Sequence, residues 1–227
     1  TFNLISESEK KNIRDKYNIK SDDYVLTNIG AMTQNKGVED LVAAYGILKK
    51  KNKNLKLILK DQSNLYDRNA NSPIKNMQSS KFNQKYQIFN EQMYNDIIII
   101  SKNLNFDELR NIYSITDCYV SPYKAEGFNL TPLEAAACGT QIVVTDGGPT
   151  DDYFDDCMGF KIESKEKSLN ESIYLSPKTN SLIEILDSII NKIDDKKDVR
   201  SKLVHKNFSW ENIVKKLKKE FENKLSK

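Results

Sequence analysis

Histidine is almost missing from this sequence of 227 residues: His205, set among lysines near the carboxyl end, is the only one. Read as a surface residue near a helix end, it leaves no imidazole for Ser-His-Asp, Cys-His or histidine-metal chemistry. Cysteine is scarce as well. Cys118, Cys138 and Cys157 are odd in number and lack C-x-x-C spacing, so neither a disulfide framework nor a zinc knuckle is indicated. Cys118 and Cys138 lie in apolar segments and are expected to pack as small hydrophobes. No apolar run approaches the roughly 20 residues that cross a bilayer, and no secretory leader opens the chain, so a soluble, cytoplasmic protein without a transmembrane segment is expected. An excess of one charge is missing too. The 35 Lys and Arg against 32 Asp and Glu leave +3, which argues against a general nucleic-acid binder. An initiator methionine is also lacking; the start at Thr1 reads as a chain processed or excised from something longer.

What is present is 38% hydrophobic and 30% charged residues, as in a globular protein with a well-solvated surface. The pattern predicts a short charged helix over residues 7–17. YVLTNIG then reads as a buried strand ending at Gly30, and GVEDLVAAYGILKKKN as a helix with Val38, Leu41, Val42, Tyr45 and Leu48 on one face. With LKLILK (55–60) these form a βαβ unit, whose sheet should be parallel. Residues 61–95 read as a long, partly helical connection, with Ile74, Met77, Phe82, Tyr86, Phe89 and Met93 supplying apolar positions for one or two helices. DIIIIS, DCYVSP and QIVVT are strands, FDELRNIYSIT and TPLEAAAC helices, and the alternation runs on to MGFKIE (158–163). Everything beyond reads as helical: SLIEILDSIINKI, DVRSKLVHKN, and FSWENIVKKLKKEFENKL with Trp210, Ile213, Val214, Leu217 and Phe221 on one side. The expected fold is α/β: a Rossmann-like, doubly wound parallel sheet of about six strands with carboxyl-terminal helices, residues 1–227 forming one domain.

Ligands of such sheets bind beyond the carboxyl ends of the strands. That selects the loops 30–37, 60–65, 101–106 and 122–131 and the turn 146–150. Lys36, before Gly37 at a helix amino terminus, is placed to meet a diphosphate, or is a solvated lysine. Lys60 ends a strand and must leave the core or point into the crevice. Thr131-Pro132-Leu133-Glu134 reads as a capping box, Thr131 as N-cap and Glu134 reaching back. Glu134 could equally accept two hydrogen bonds from a ribose diol. Glu126, beside Gly127 in the loop, has no such structural role and suits a sugar hydroxyl.

SPYKAEGFNLTPLEAAACGTQIVVTDGGPTDDY (121–153) resembles the donor-binding segment of the family 4 retaining glycosyltransferases, the group 1 branch of the GT-B fold. There, E-(G)-F-G-(L)-x-x-x-E-A-x-A-x-G precedes a strand and a glycine turn. NIGAMTQNKGVEDLVAAYGILKK resembles that family's G-R-x-x-x-x-K-G-x-x-x-L-x-x-A segment, the likeness runs from about Tyr24 to Ile162, and FSWENIVKKL looks like its closing helix.

The resemblance implies that Lys36 binds the donor diphosphate and Glu126 contacts the transferred sugar, these two forming the catalytic set. It implies that Glu134 accepts the ribose hydroxyls, that the backbone N–H groups of Phe128, Asn129 and Leu130 approach sugar and phosphate, and that Asn103 or Leu104 frames the base. Gly30, Ala31 and Gly127 complete the donor-binding residues. Two departures stand out: Ala31 replaces the arginine that shares the diphosphate, a charge Lys60 is hypothesised to supply, and Asn129 replaces a glycine. The implied reaction is transfer of a sugar from a nucleoside diphosphate sugar to a hydroxyl of a glycan, lipid or small molecule, with retention of configuration and with no cofactor or metal. Its acceptor half would be an amino-terminal GT-B domain that this chain does not contain. A non-catalytic nucleotide-sugar-binding module is the alternative. A third reading, a response-regulator-like protein, needs an acidic pocket after the first strand, which NIGAMTQNK lacks.

Overall fold

A computed structural model describes residues 1–88, 91–169, 172–190 and 192–225. In chain order its elements are α1 (Glu7–Lys16), β1 (Tyr24–Ile29), α2 (Val38–Lys49), β2 (Leu55–Lys60), α3 (Asn71–Gln78), α4 (Lys81–Tyr86), α5 (Glu91–Asn95), β3 (Ile97–Ile100), α6 (Phe106–Ile115), β4 (Cys118–Ser121), α7 (Leu130–Ala137), β5 (Gln141–Thr145), β6 (Gly159–Ile162), β7 (Ser164–Leu169), β8 (Ser172–Pro177), α8 (Thr179–Ile189), α9 (Lys197–Phe208) and α10 (Trp210–Leu225).

Strands β1 to β6 form one sheet in the order β3-β2-β1-β4-β5-β6, and every pairing is parallel. This is the expected Rossmann-like sheet. Successive side chains of a strand point to opposite faces, and the two halves of the core follow that alternation. Leu26, Leu57, Leu59, Val120 and Val143 pack on one face with α2 and α8. Val25, Ile58, Tyr119, Ile142 and Val144 pack on the other with α6 and α7. Cys118 and Cys138 are buried thiols among these side chains.

Local chemistry fixes the helix ends. Ser6 accepts the Glu9 N–H at the start of α1, and α6 carries a full capping box between Asn105 and Glu108. The connection over 61–95 holds three short helices where one or two were expected; Phe89 lies outside the described residues. Its first turn is pinned by Asp61, whose wholly buried carboxylate accepts from the Ala70 N–H at 2.9 Å and the Ser101 hydroxyl at 2.8 Å. Burial would raise the Asp61 pKa, but these bonds outweigh it and hold it below the ordinary value.

The expectation of helix alone after Glu163 is wrong. Antiparallel β7 and β8 form a hairpin between the sheet and α8. The segment SKEKSLNESIYLSP carries little apolar content, so a hydrophobic-periodicity argument passes over it. At the far end the stripe of α10 is regular but uncovered: Trp210, Leu217 and Phe221 are exposed. No helix among the described residues is long and apolar enough to cross a membrane.

Candidate functional site

Because β1 lies between β2 and β4, the chain order reverses at the β1–β4 pair, and the loops leaving those two strands diverge to opposite faces. A doubly wound sheet opens its ligand crevice at such a point.

The loop after β1 closes as a single 3-10 turn, Gln34–Lys36, with Gly37 in the left-handed region at φ 63°. The loop after β4 runs beside it. Asn35 ties the two: its carbonyl accepts the Lys124 N–H at 2.6 Å, and its side-chain amide donates to the Ala125 carbonyl at 3.1 Å. The register this sets brings Lys36 onto Glu126, whose carboxylate accepts from the lysine ammonium. Two residues 90 positions apart in sequence, each singled out for a different part of a ligand, thus meet as an ion pair.

Glu134 does not cap its helix. Helix α7 starts at Leu130, one residue before the expected N-cap Thr131, because Asn129 takes φ 63° and ψ 69° and turns the chain inward. Asn is among the few residues that adopt this conformation readily. Its amide donates to the Ser121 hydroxyl at 3.0 Å, and its carbonyl accepts from the Tyr153 hydroxyl at 2.7 Å. The Glu134 carboxylate instead accepts from the buried Tyr113 hydroxyl at 2.8 Å. Burial pushes the Glu134 pKa up, and the Tyr113 bond only partly offsets this. The local pattern T-P-L-E is real, but a long-range partner has claimed its carboxylate.

The two helix amino termini differ. Glu39 and Asp40 occupy the first turn of α2, with Asp40 held by the Thr179 hydroxyl at 2.7 Å and by Lys124 at 3.6 Å. Neither helix has a side-chain cap, but the first turn of α7 has no acidic residue, so α7 offers its N–H groups to an anion more freely. Phe128 stands 41% exposed at that end, its ring 5.2 Å from Tyr153, and Leu130 is exposed beside it.

The remaining residues are more dispersed. Gly127 is exposed, and a Cβ there would meet no atom within 4 Å. Ala31 is buried, so its side chain presents little to a ligand. The Gly30 N–H donates to the Lys60 carbonyl at 3.0 Å, which sets the end of β2 against the start of the first loop. The Lys60 ammonium is buried and donates to the Asp61 carbonyl; burial lowers its pKa, opposed by the Asp61 charge. Asn103 accepts from the Asn64 amide at 3.1 Å, which joins the loops after β2 and β3, while Leu104 packs partly into the core. His205 is exposed in the last turn of α9.

Asn35, Tyr113, Lys124 and Tyr153 hold this site together and were not among the residues expected to do so. Asn35 sits in a turn-forming T-Q-N-K-G run, which was the one available signal. A cavity of about 720 Å³ lies at the opposite, amino-terminal edge of the sheet, bounded by Lys10, Arg14, Asp117, Thr140 and Lys196. Its walls include ion-paired structural groups, Arg14 with Asp117 among them, and none of the candidate donor-site residues lines it.

Fold and site together define a doubly wound α/β protein with a lysine–glutamate pair at its switch point. The chain belongs to the family described as glycosyl transferases group 1, whose sequence model matches residues 9–176, well over half of its length. It is 23% identical over 95% of its length to a lipopolysaccharide 1,2-N-acetylglucosaminetransferase of Salmonella typhimurium, of which it covers 52%. The chain spans about half the length of the curated relatives it matches. Among solved structures it resembles the C-terminal domain of a glycosyl transferase group 1 family protein (LpcC) from Francisella tularensis, with a TM-score of 0.66, 21% identity, and coverage of 92% of this chain and 96% of that one. It also resembles Anabaena Alr3699/HepE in complex with UDP-glucose, with a TM-score of 0.70, 15% identity, and coverage of 98% and 54%.

Proposed function

We propose that residues 1–227 form the donor-binding half of a retaining glycosyltransferase, which moves a sugar from a nucleoside diphosphate sugar to an acceptor hydroxyl, and that an amino-terminal domain supplies the acceptor site. The observation that carries this reading is the Lys36–Glu126 pair, set at the β1–β4 switch point beside the unblocked amino terminus of α7. The UDP-glucose bound to the Anabaena protein and the name of the Salmonella relative fit a nucleotide-sugar donor.

In this reading the donor diphosphate lies between the Lys36 ammonium and the N–H groups of Phe128, Asn129 and Leu130. Preorganised positive charge there stabilises the departing diphosphate as the glycosidic bond breaks, in the place a metal ion would otherwise hold. Glu126 exchanges part of its contact with Lys36 for a sugar hydroxyl. It is a binding group and not a displacement nucleophile, so the spacing rules for paired glycosidase carboxylates do not apply. Glu134 accepts the ribose hydroxyls while Tyr113 holds its other side, and Asn103 or Leu104 borders the base.

Calorimetric titration with a panel of nucleoside diphosphate sugars tests donor binding. Donor hydrolysis and transfer, assayed in this chain and in a form carrying the preceding domain, test the chemistry. Binding without turnover in the longer form would favour a non-catalytic nucleotide-sugar-binding module.

Two variants sharpen the assignments. Glu134→Gln keeps an acceptor for Tyr113 and removes a buried charge, so its Tm should hold while affinity for the nucleotide falls about tenfold, the worth of a charge-assisted hydrogen bond. Lost stability with unchanged affinity would make Glu134 a structural residue. The pH profile follows the same group. Ribose hydroxyls favour the ionised carboxylate, so the bound form has the lower pKa and affinity is complete above the free-state pKa. It should weaken as pH falls through that pKa, which burial places above the ordinary glutamate value. Lys60→Ala should lower donor affinity about fivefold if Lys60 replaces the arginine absent at Ala31; unchanged affinity ends that idea.

A further inference from the structure

Resting on the donor-site reading above, we infer that the β7–β8 hairpin is a positioning element for the Glu126 loop, and so for the transferred sugar rather than for the nucleotide. The hairpin does not join the main sheet. Its contacts with the body converge on the loop after β4 and the glycine turn after β5.

Leu175 lies on β8 opposite Glu166, but its N–H points away from β7 and donates to the Lys124 carbonyl at 2.7 Å. The outer edge of β8 therefore extends onto the loop as an added strand would, satisfying backbone groups in pairs. Residues 124 and 125 are held from both sides: Asn35 accepts their N–H groups, and Leu175 supplies a donor to the intervening carbonyl. Glu126 follows directly.

The Leu175 side chain, 7% exposed, packs into the same core cluster as Tyr123 and Tyr153. It also closes on the glycine turn after β5, where a Cβ on Gly148 would come within 2.9 Å of Leu175 Cδ1. The Ser164 hydroxyl donates to the Asp146 carbonyl at 2.7 Å and fixes the other strand to that turn. Ile173, on the same face as Leu175, continues beyond the body and stays 71% exposed.

None of these contacts reaches Lys36 or the amino terminus of α7, the groups assigned to the diphosphate. The hairpin thus acts on one end of the site. Without it, the 124–126 segment keeps its Asn35 bonds but loses its outer wall, and the Glu126 carboxylate is free to settle on Lys36 in more than one geometry.

Lys165 and Ser176 face each other as the hydrogen-bonding pair near the hairpin base, and Pro177 has no N–H to close a turn, so residues 166–175 can be replaced by Asn-Gly, a two-residue turn suited to such a pair. Calorimetry with UDP and with UDP-glucose on the full chain then separates the two ends of the site. The shortened chain should bind UDP within twofold of the parent and UDP-glucose about tenfold more weakly. Leu175→Met, which keeps both the N–H and the apolar fill, should match the parent for both ligands. Equal loss for both ligands would make the hairpin a general stabiliser and overturn the inference, as would UDP-glucose binding that does not change. A parent chain that binds UDP and UDP-glucose equally well also overturns it, leaving the donor site intact. A parent that binds neither ligand overturns the donor-site reading and this inference with it.

Discussion

Lys36→Ala is expected to weaken binding of UDP ten- to a hundredfold, because the side chain supplies a charge-assisted bond to the diphosphate, worth about 1.5–3 kcal/mol. The effect belongs to the nucleotide, so UDP and UDP-glucose should lose affinity together. Glu126→Gln should behave differently. It relaxes the ion pair yet leaves the ammonium in place, so UDP affinity is kept while the gain from the sugar is lost. Calorimetry on the two variants with the two ligands forms a square whose corners assign the pair. Lysine at position 36 is also not equivalent to arginine: Lys36→Arg puts a planar fork where a compact charge now meets one carboxylate oxygen, and only partial rescue is expected.

The second large effect is on folding. Gly37→Ala should destabilise the domain by about 3 kcal/mol: roughly 1–2 for an L-residue in the left-handed region and a comparable amount for overpacking. Gly37 has φ 63°, and an added Cβ would sit inside the contact radius of the Pro122 carbonyl oxygen. Both clashing partners are backbone, so neither can swing away as a side chain would. In a domain of this size the midpoint should fall by about 6–12 °C, read by circular dichroism. Gly127→Ala is the control. Its Cβ would meet open space, and stability should stay within about 0.5 kcal/mol. The contrast matters for function because Gly37 is where the first loop touches the second; its small size is what permits the Lys36–Glu126 contact.

The sheet was legible in the sequence because its strands are short, nearly continuous apolar runs. Val25 and Leu26, or Ile142 and Val143, are apolar neighbours that serve opposite faces, and only a strand covered on both sides needs that. Lys36 and Glu126 could be singled out because they sit on strand-to-helix loops, and Glu134 because it lies in the helix that follows one. What could not be read was which partner each would find. Glu134 and Tyr113 are 21 positions apart, and a tyrosine within an apolar helix face reads as filler until its hydroxyl is seen to need an acceptor. Nothing local favoured that contact over the capping box. The hairpin escaped for a related reason: Ile173 is exposed and Tyr174 only half-buried beside the buried Leu175, and such a pattern makes no period.

The most direct test of the account is a crystal structure of this chain with UDP-glucose bound. The diphosphate should lie between the Lys36 ammonium and the first turn of α7, with the ribose hydroxyls on Glu134 and the glucose against Glu126. A nucleotide seated instead in the cavity at the amino-terminal edge of the sheet, among Lys10, Arg14 and Lys196, would contradict it.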